Sequence, residues 1–238
     1  MPDPGFCLHT PAMSQPHRTI FRCPVFCCLA VAALLLPLPA LCSSEALIAA
    51  AERGDTAAVR QMLDAGTAVN GRDDRGRNAV LAATQEGHVA TARLLIERGA
   101  DVNAKDSIHD SAFLLAGARG HTEIVRLALA AGANLASTNR YGGTALIPAC
   151  HYGHVDTVRL LVKSGINLNH VNNLGWTALL EAIILGSGGP AHIEIVRLLI
   201  EHGANVNLGD RDGVRPLAHA TQRGQDAIVR LLLRAGAR

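Results

Sequence analysis

Gly120-His-Thr-Glu-Ile-Val-Arg-Leu-Ala-Leu-Ala-Ala-Gly132 decides the fold. Between its glycines, Ile124, Val125, Ala128 and Leu129 occupy the i, i+1, i+4, i+5 rows of a single helical face. The closing glycine returns at Gly66, Gly99, Gly132, Gly165, Gly203 and Gly236, at steps of 33, 33, 33, 38 and 33 residues. The opening glycine returns with the same period at Gly54, Gly87, Gly120, Gly153, Gly186 and Gly224. A period of this length marks units that cannot bury an apolar face alone and stack to make a shared core.

Outward from that helix, each unit adds the same parts. A shorter helix precedes it, as in Ala79-Val-Leu-Ala-Ala-Thr-Gln-Glu86, with Gly87 as its C-terminal cap. A short extended piece follows it, as in Ala100-Asp-Val-Asn-Ala104. Turns come next at Asp73-Asp-Arg-Gly76, Asn139-Arg-Tyr-Gly142, Asn172-Asn-Leu-Gly175 and Asp210-Arg-Asp-Gly213. Asp or Asn at the start and Gly at the end are the residues a β-turn favours.

Helix, glycine turn, helix and outward finger every 33 residues resembles the ankyrin-repeat family over about four-fifths of the chain. The most family-like stretches are Gly142-Gly-Thr-Ala-Leu146, Gly153-His-Val-Asp-Thr-Val-Arg-Leu-Leu161, Gly175-Trp-Thr-Ala-Leu179 and Gly203-Ala-Asn-Val-Asn207. The resemblance implies an all-α repeat solenoid of six stacked units: 44–73, 74–106, 107–139, 140–172, 173–210 and 211–238. The histidine of the family's Thr-Pro-Leu-His turn is replaced by Leu81, Leu114, Ile147, Leu180 and Ala218, so those turns are expected to rest on packing. His109 stands where a finger glycine belongs, which predicts an irregular third finger. Glu45 stands where Thr begins the first helix, and the end units read as caps, with Gln222, Arg223, Gln225 and Asp226 facing water.

Composition agrees with stacked helices. Hydrophobic residues make up 49% of the chain and aromatics only 3%, so helices can approach closely. A formal net charge of +2, from 22 basic and 20 acidic residues, gives no reason to expect nucleic acid as a partner. Five of six cysteines lie at or before residue 42, leaving Cys150 as a small buried hydrophobe, with no disulfide framework or zinc spacing.

Residues 1–42 read as a secretory leader. His17, Arg18 and Arg22 precede the apolar run Val25–Leu36, and Pro37, Pro39 and small residues follow. Met13 lies at a more usual distance before the basic residues and is the alternative start. Twelve apolar residues are too few to span about 30 Å of hydrocarbon. After cleavage the expectation is a periplasmic or secreted monomer with no membrane anchor, similar to small exported ankyrin proteins of Gram-negative bacteria.

The resemblance also implies where binding occurs, because in the family the fingers and the exposed side of each first helix line a concave wall. The matching positions include Arg75, Arg77, Ile108, Asp110, Arg140, Tyr141, Leu174, Trp176 and Arg211 on fingers, with Gln85, His151 and Tyr152 on first helices. Tyr141, Tyr152 and Trp176 form the expected centre, because Trp, Tyr and Arg dominate interface energetics. The alternative for Trp176 is packing against its own finger. The expected function is capture of an unidentified protein partner, with no catalytic residues, cofactor or metal. Two other readings are an anionic envelope polymer or small ligand bound by the ladder Arg60, Arg93, Arg126, Arg159, Arg197 and Arg230, and a secreted effector acting on a host protein. Against the ladder, Glu123, Asp156 and Glu194 lie three residues before their Arg, and Asp64, Glu97 and Glu201 four after, spacings that neutralise it. His88, His121, His154 and His192 sit about 10 Å apart by repeat geometry, too far for one zinc. Ser187–Ala191 is a five-residue insertion expected to lengthen a turn.

Overall fold

The computed structural model describes residues 43–238, and the leader assigned to 1–42 lies outside them. Twelve helices in six pairs are found among the described residues, and no strand. The pairs are α1 (Ser44–Glu52) with α2 (Thr56–Asp64), α3 (Ala79–Gln85) with α4 (Val89–Glu97), and α5 (Ala112–Arg119) with α6 (Thr122–Ala130). They continue with α7 (Leu146–His151) and α8 (Val155–Leu161), α9 (Ala178–Ile184) and α10 (Pro190–Glu201), and α11 (Pro216–Gln222) and α12 (Asp226–Arg234). Odd-numbered helices pack on one another in chain order and form an inner row; even-numbered helices form the outer row. The solenoid read from the 33-residue period is therefore the fold. Among the described residues, no helix is long and apolar enough to cross a membrane.

The core runs through both rows. Leu81, Leu95, Ile124, Leu146, Leu161, Leu179 and Leu199 are fully buried, among alanines such as Ala82, Ala116 and Ala182 that let neighbouring helices close up. Each such leucine contributes about 2 kcal/mol. Leu81, Leu114, Ile147 and Leu180, where the family carries histidine, are also buried, so packing does hold those turns. A side-chain cap assists. Asn78, Ser111 and Thr177 accept from Leu81, Leu114 and Leu180 N–H at 3.0, 3.3 and 3.2 Å. In the first unit the cap is Ser43, two residues before Glu45, and α1 is longer at its start.

Every finger closes the same way. One carboxylate or amide oxygen accepts from two backbone N–H groups: Asp73 from Arg75 and Arg77 (3.0 and 2.8 Å), Asn139 from Tyr141 and Gly143 (2.9 and 3.0 Å), and Asn172 from Leu174 and Trp176 (both 3.0 Å). The third finger follows suit, with Asp106 accepting from Ile108 and Asp110 at 3.0 and 2.9 Å. The irregularity expected there is absent because His109 adopts the left-handed φ of +64° that glycine takes in other fingers.

Repeats are also joined by side chains whose partners lie one repeat away. His88, His154 and His192 direct Nε2 to the carbonyls of Glu52, Ala118 and His151 at 3.1, 3.1 and 2.9 Å. The rings lie over the previous repeat's inter-helix glycine: a Cβ on Gly120, where φ is +71°, would stand 2.5 Å from the His154 ring. Gln225 takes the histidine's position in the last repeat and donates to Ile183 O at 3.1 Å, so it is half-buried rather than water-facing. Asn70, Asn103 and Asn207 each bridge the next repeat twice. Asn103, for example, donates to Gly132 O at 3.2 Å and accepts from Asn134 N at 2.7 Å. At the corresponding place in the third repeat stands Ala136, which has no amide.

The insertion is more ordered than a lengthened turn. Pro190 and Ala191 become the first residues of α10, as Pro at a helix start permits, and Ser187 Oγ lies 3.2 Å from His192 Nδ1.

Candidate functional site

The fingers and the inner helices of the second to fifth repeats enclose a cavity of 690 Å3. Eight residues expected at the binding wall meet there: Gln85, Ile108, Asp110, Arg140, Tyr141, His151, Tyr152 and Leu174. Among the described residues, five of the eight exposed large hydrophobics line it: Ile108, Tyr141, Tyr152, Leu174 and Leu185. Tyr141 and Tyr152 are 55% and 61% exposed, so one side of each ring faces solvent. Two contacts hold the aromatic wall in place. The Arg140 guanidinium lies 4.7 Å from the Tyr141 ring centre and is held by Asp110 at 3.2 Å. His151 and Tyr152 stack with ring centres 4.2 Å apart and 14° between planes.

Four of the expected residues lie elsewhere. Arg75 and Arg211 are exposed on their fingers, outside the cavity. Arg211 donates to Asn173 O, tying the last two fingers together. Trp176 is half-buried and does not line the cavity, so it does not join the two tyrosines in one cluster. Arg77 is buried and offers nothing to a partner. Its guanidinium reaches Asp73 at 2.8 Å, Glu52 at 3.0 Å and Gln85 at 3.3 Å. Burial pushes the Asp73 carboxyl up, but the Arg77 hydrogen bonds and charge outweigh it and hold the group below the usual range.

Glu181 is the lining residue that sequence reasoning passed over. It sits on α9 with its side chain only 8% exposed. Oε1 accepts from Asn172 Nδ2 at 2.8 Å, whereas Oε2 lies 3.8 Å from His151 Nδ1, beyond hydrogen-bond length. Burial pushes the carboxyl up to about 7, against the Asn172 bond, which lowers it. His151 moves the other way, lowered by burial and by the neighbouring His192 charge, and is neutral at pH 7. The signal was present: Ala82, Leu115 and Pro148 hold the equivalent inner-row position in earlier repeats, and only Glu181 among them carries a charge.

The outer wall is a different surface. Arg126 pairs with Glu123 at 3.2 Å, Arg159 with Asp156 at 2.7 Å, and Arg197 with Glu194. The three-residue spacing thus works as read, but the four-residue partners are taken across repeats. Arg93 reaches Glu123 at 2.6 Å, and Asp64 pairs with Arg98 at 2.8 Å. Cys150 is fully buried, and burial pushes its thiol well up, away from reactivity. Among the described residues no three His, Cys, Asp or Glu side chains converge as a metal site.

Comparison with known proteins decides the family. The family described as ankyrin repeats (3 copies) matches residues 27–106, 113–207 and 167–238. The chain is an ankyrin-repeat protein. An ankyrin repeat domain from Acinetobacter baumannii AYE is 54% identical, covers 81% of this ankyrin chain and 98% of its own, and superposes with a TM-score of 0.79. The ankyrin repeat protein EF0377 is 39% identical over 80% of this chain and 97% of its own, with a TM-score of 0.77. No curated protein matches. Ankyrin repeats are in general protein-binding modules, typically non-enzymatic scaffolds, so the cavity on the finger side is read as a candidate binding face.

Proposed function

We propose that this ankyrin protein captures a segment of a protein partner in the finger-side cavity, without catalysis, and does so as an exported monomer in the periplasm. The observation that carries the reading is the gathering of five of the eight exposed large hydrophobics among the described residues into a single 690 Å3 cavity. Isolated exposed apolar residues need no explanation; a lined concavity of them is where ligands bind. Tyr141 and Tyr152 supply large rings that lose little freedom on binding. Export is supported by the basic, apolar and small-residue order of residues 17–44.

The outer arginine ladder gives an anionic polymer little purchase, because four of its six members are already paired with carboxylates.

Affinity capture from a periplasmic fraction tests the reading. Tyr141→Ala with Tyr152→Ala should lower recovery of the partner at least tenfold, with helical circular dichroism unchanged because both rings are exposed. Equal recovery by the double variant would remove this face as the binding site. Sequencing the mature N-terminus from the same fraction tests export: a start near residue 43 is expected, and a protein that keeps its first residues in the cytoplasm contradicts it.

A further inference from the structure

We infer that the cavity seats a cationic side chain, a lysine or arginine of the partner segment, against Oε2 of Glu181. The inference rests on the cavity being the binding face. Its basis is a mismatch of charge. Arg140 is matched by Asp110 at 3.2 Å, and the Asp106 carboxylate is engaged by two finger N–H groups. Arg119 is exposed, and its field falls on His121. Glu181 has neither a countercharge nor donors on both oxygens. Asn172 occupies one oxygen; the other has no hydrogen-bond donor among the described residues. The groups facing it are His151 and Cys150 of α7 and Asn172 of its own finger, none of them cationic at pH 7.

The chain itself shows how a cation sits at this place. Ninety-nine residues, three steps of 33, separate Asp73 from Asn172, Arg77 from Trp176 and Glu52 from His151. Where the first repeat meets the second, these positions hold a guanidinium between two carboxylates. Where the fourth meets the fifth, the three positions hold an amide, an indole and an imidazole, and a carboxylate stands instead at 181, where the second repeat has Ala82. An acid thus remains beside the joint while the chain supplies no cation to meet it. A lysine or arginine stem fits the rest of the cavity. Leu174 and Ile147 give an apolar wall for the methylenes, and the Tyr141 and Tyr152 rings lie at the mouth for the charge to pass. Arrival of a cation favours the ionised carboxylate, so seating it releases a proton near neutral pH.

Randomised nonapeptide pools, with the central residue fixed as lysine, arginine or norleucine, test this on the immobilised full-length protein. At pH 8 the wild type should retain the lysine and arginine pools at least fivefold more than norleucine, and the preference should shrink at pH 6 as Glu181 takes up its proton. Glu181→Gln, which can keep the Asn172 bond, should abolish the preference and leave norleucine retention unchanged; its unfolding midpoint confirms that it folds. Equal retention of all three pools by the wild type, or a preference that survives in Glu181→Gln, overturns the inference. If retention is equal and is lost in the Tyr141, Tyr152 double variant, the binding face stands and only the cation is wrong. If no pool is retained, the inference fails, and partner capture alone judges the face.

Discussion

Two joints of this stack, three repeats apart, solve the burial of charge in opposite ways. Between the first and second repeats, Arg77 is enclosed by Asp73, Glu52 and Gln85, and every charge has a partner. Between the fourth and fifth, Glu181 is nearly as buried but has one amide donor and a neutral imidazole for company. The difference teaches that burial of an ionisable group does not by itself assign a role. A satisfied cluster stabilises the joint, whereas a carboxyl lacking its cation beside a solvent-facing cavity is a feature that stability alone would not select.

The comparison breaks first at Arg77. Arg77→Ala leaves Asp73 buried without its cation and is expected to cost about 3 kcal/mol in urea unfolding. Arg75→Ala removes a side chain that is 59% exposed and 3.9 Å from the same carboxylate, and should change stability by less than about 0.5 kcal/mol. Equal effects would deny that the enclosed arginine is a structural tie.

Glu181→Gln should act in the opposite direction. The folded carboxyl titrates near 7 instead of its ordinary 4.5, so the native state holds a proton that the unfolded chain has released between those values. Wild-type stability therefore falls as pH rises from 4.5 to 7, by about 3 kcal/mol, and then stays level. The glutamine variant lacks this loss: it should match the wild type at pH 4.5 and exceed it by that amount at pH 8. A variant no more stable at pH 8 would mean that Glu181 is already matched by a charge.

A smaller effect sharpens the same contrast. Asn172→Asp keeps a finger acceptor, as Asp73 does in the second repeat, but sets a second carboxylate where an amide now donates at 2.8 Å. Stability should fall by about 1 kcal/mol at pH 8 and by much less at pH 5, where the pair shares a proton. The same loss at both values would place the effect in the finger turn instead.

What could be read from sequence, and what could not, divides by distance along the chain. The period, the glycine turns and the Asp or Asn that closes each finger depend on neighbours within a few residues, and the structure has them where they were expected. Arg77 was assigned to the binding wall because its finger position is exposed in form; Glu52, 25 residues earlier, turns it inward. Arg93 was given Glu97 by helical spacing and takes Glu123 of the next repeat. The histidines that clasp adjacent repeats were seen only as recurring loop residues, and the clasping asparagines were not singled out, since their acceptors lie 29–41 positions away. Tyr141, Tyr152, Arg140 and Leu174 line the cavity from the finger and inner-helix positions read in the sequence, because exposure of a large side chain there is a local matter. Glu181 was missed because a charge on a buried row becomes informative only when the neighbouring joint is seen to leave it unmatched.

Ala136 carries one more consequence. A stack of repeats melts as a one-dimensional chain of couplings, and its cooperativity is set by the weakest interface. Substituting alanine for the bridging asparagine removes a side-chain clasp between the third and fourth units, and so marks a seam between two blocks of three. The cavity lies across that seam, drawing Ile108 and Asp110 from one block and Tyr141, Tyr152 and Glu181 from the other. Whatever occupies it acts as a rivet, coupling two halves across a joint that has one side-chain clasp fewer than its neighbours in the asparagine row.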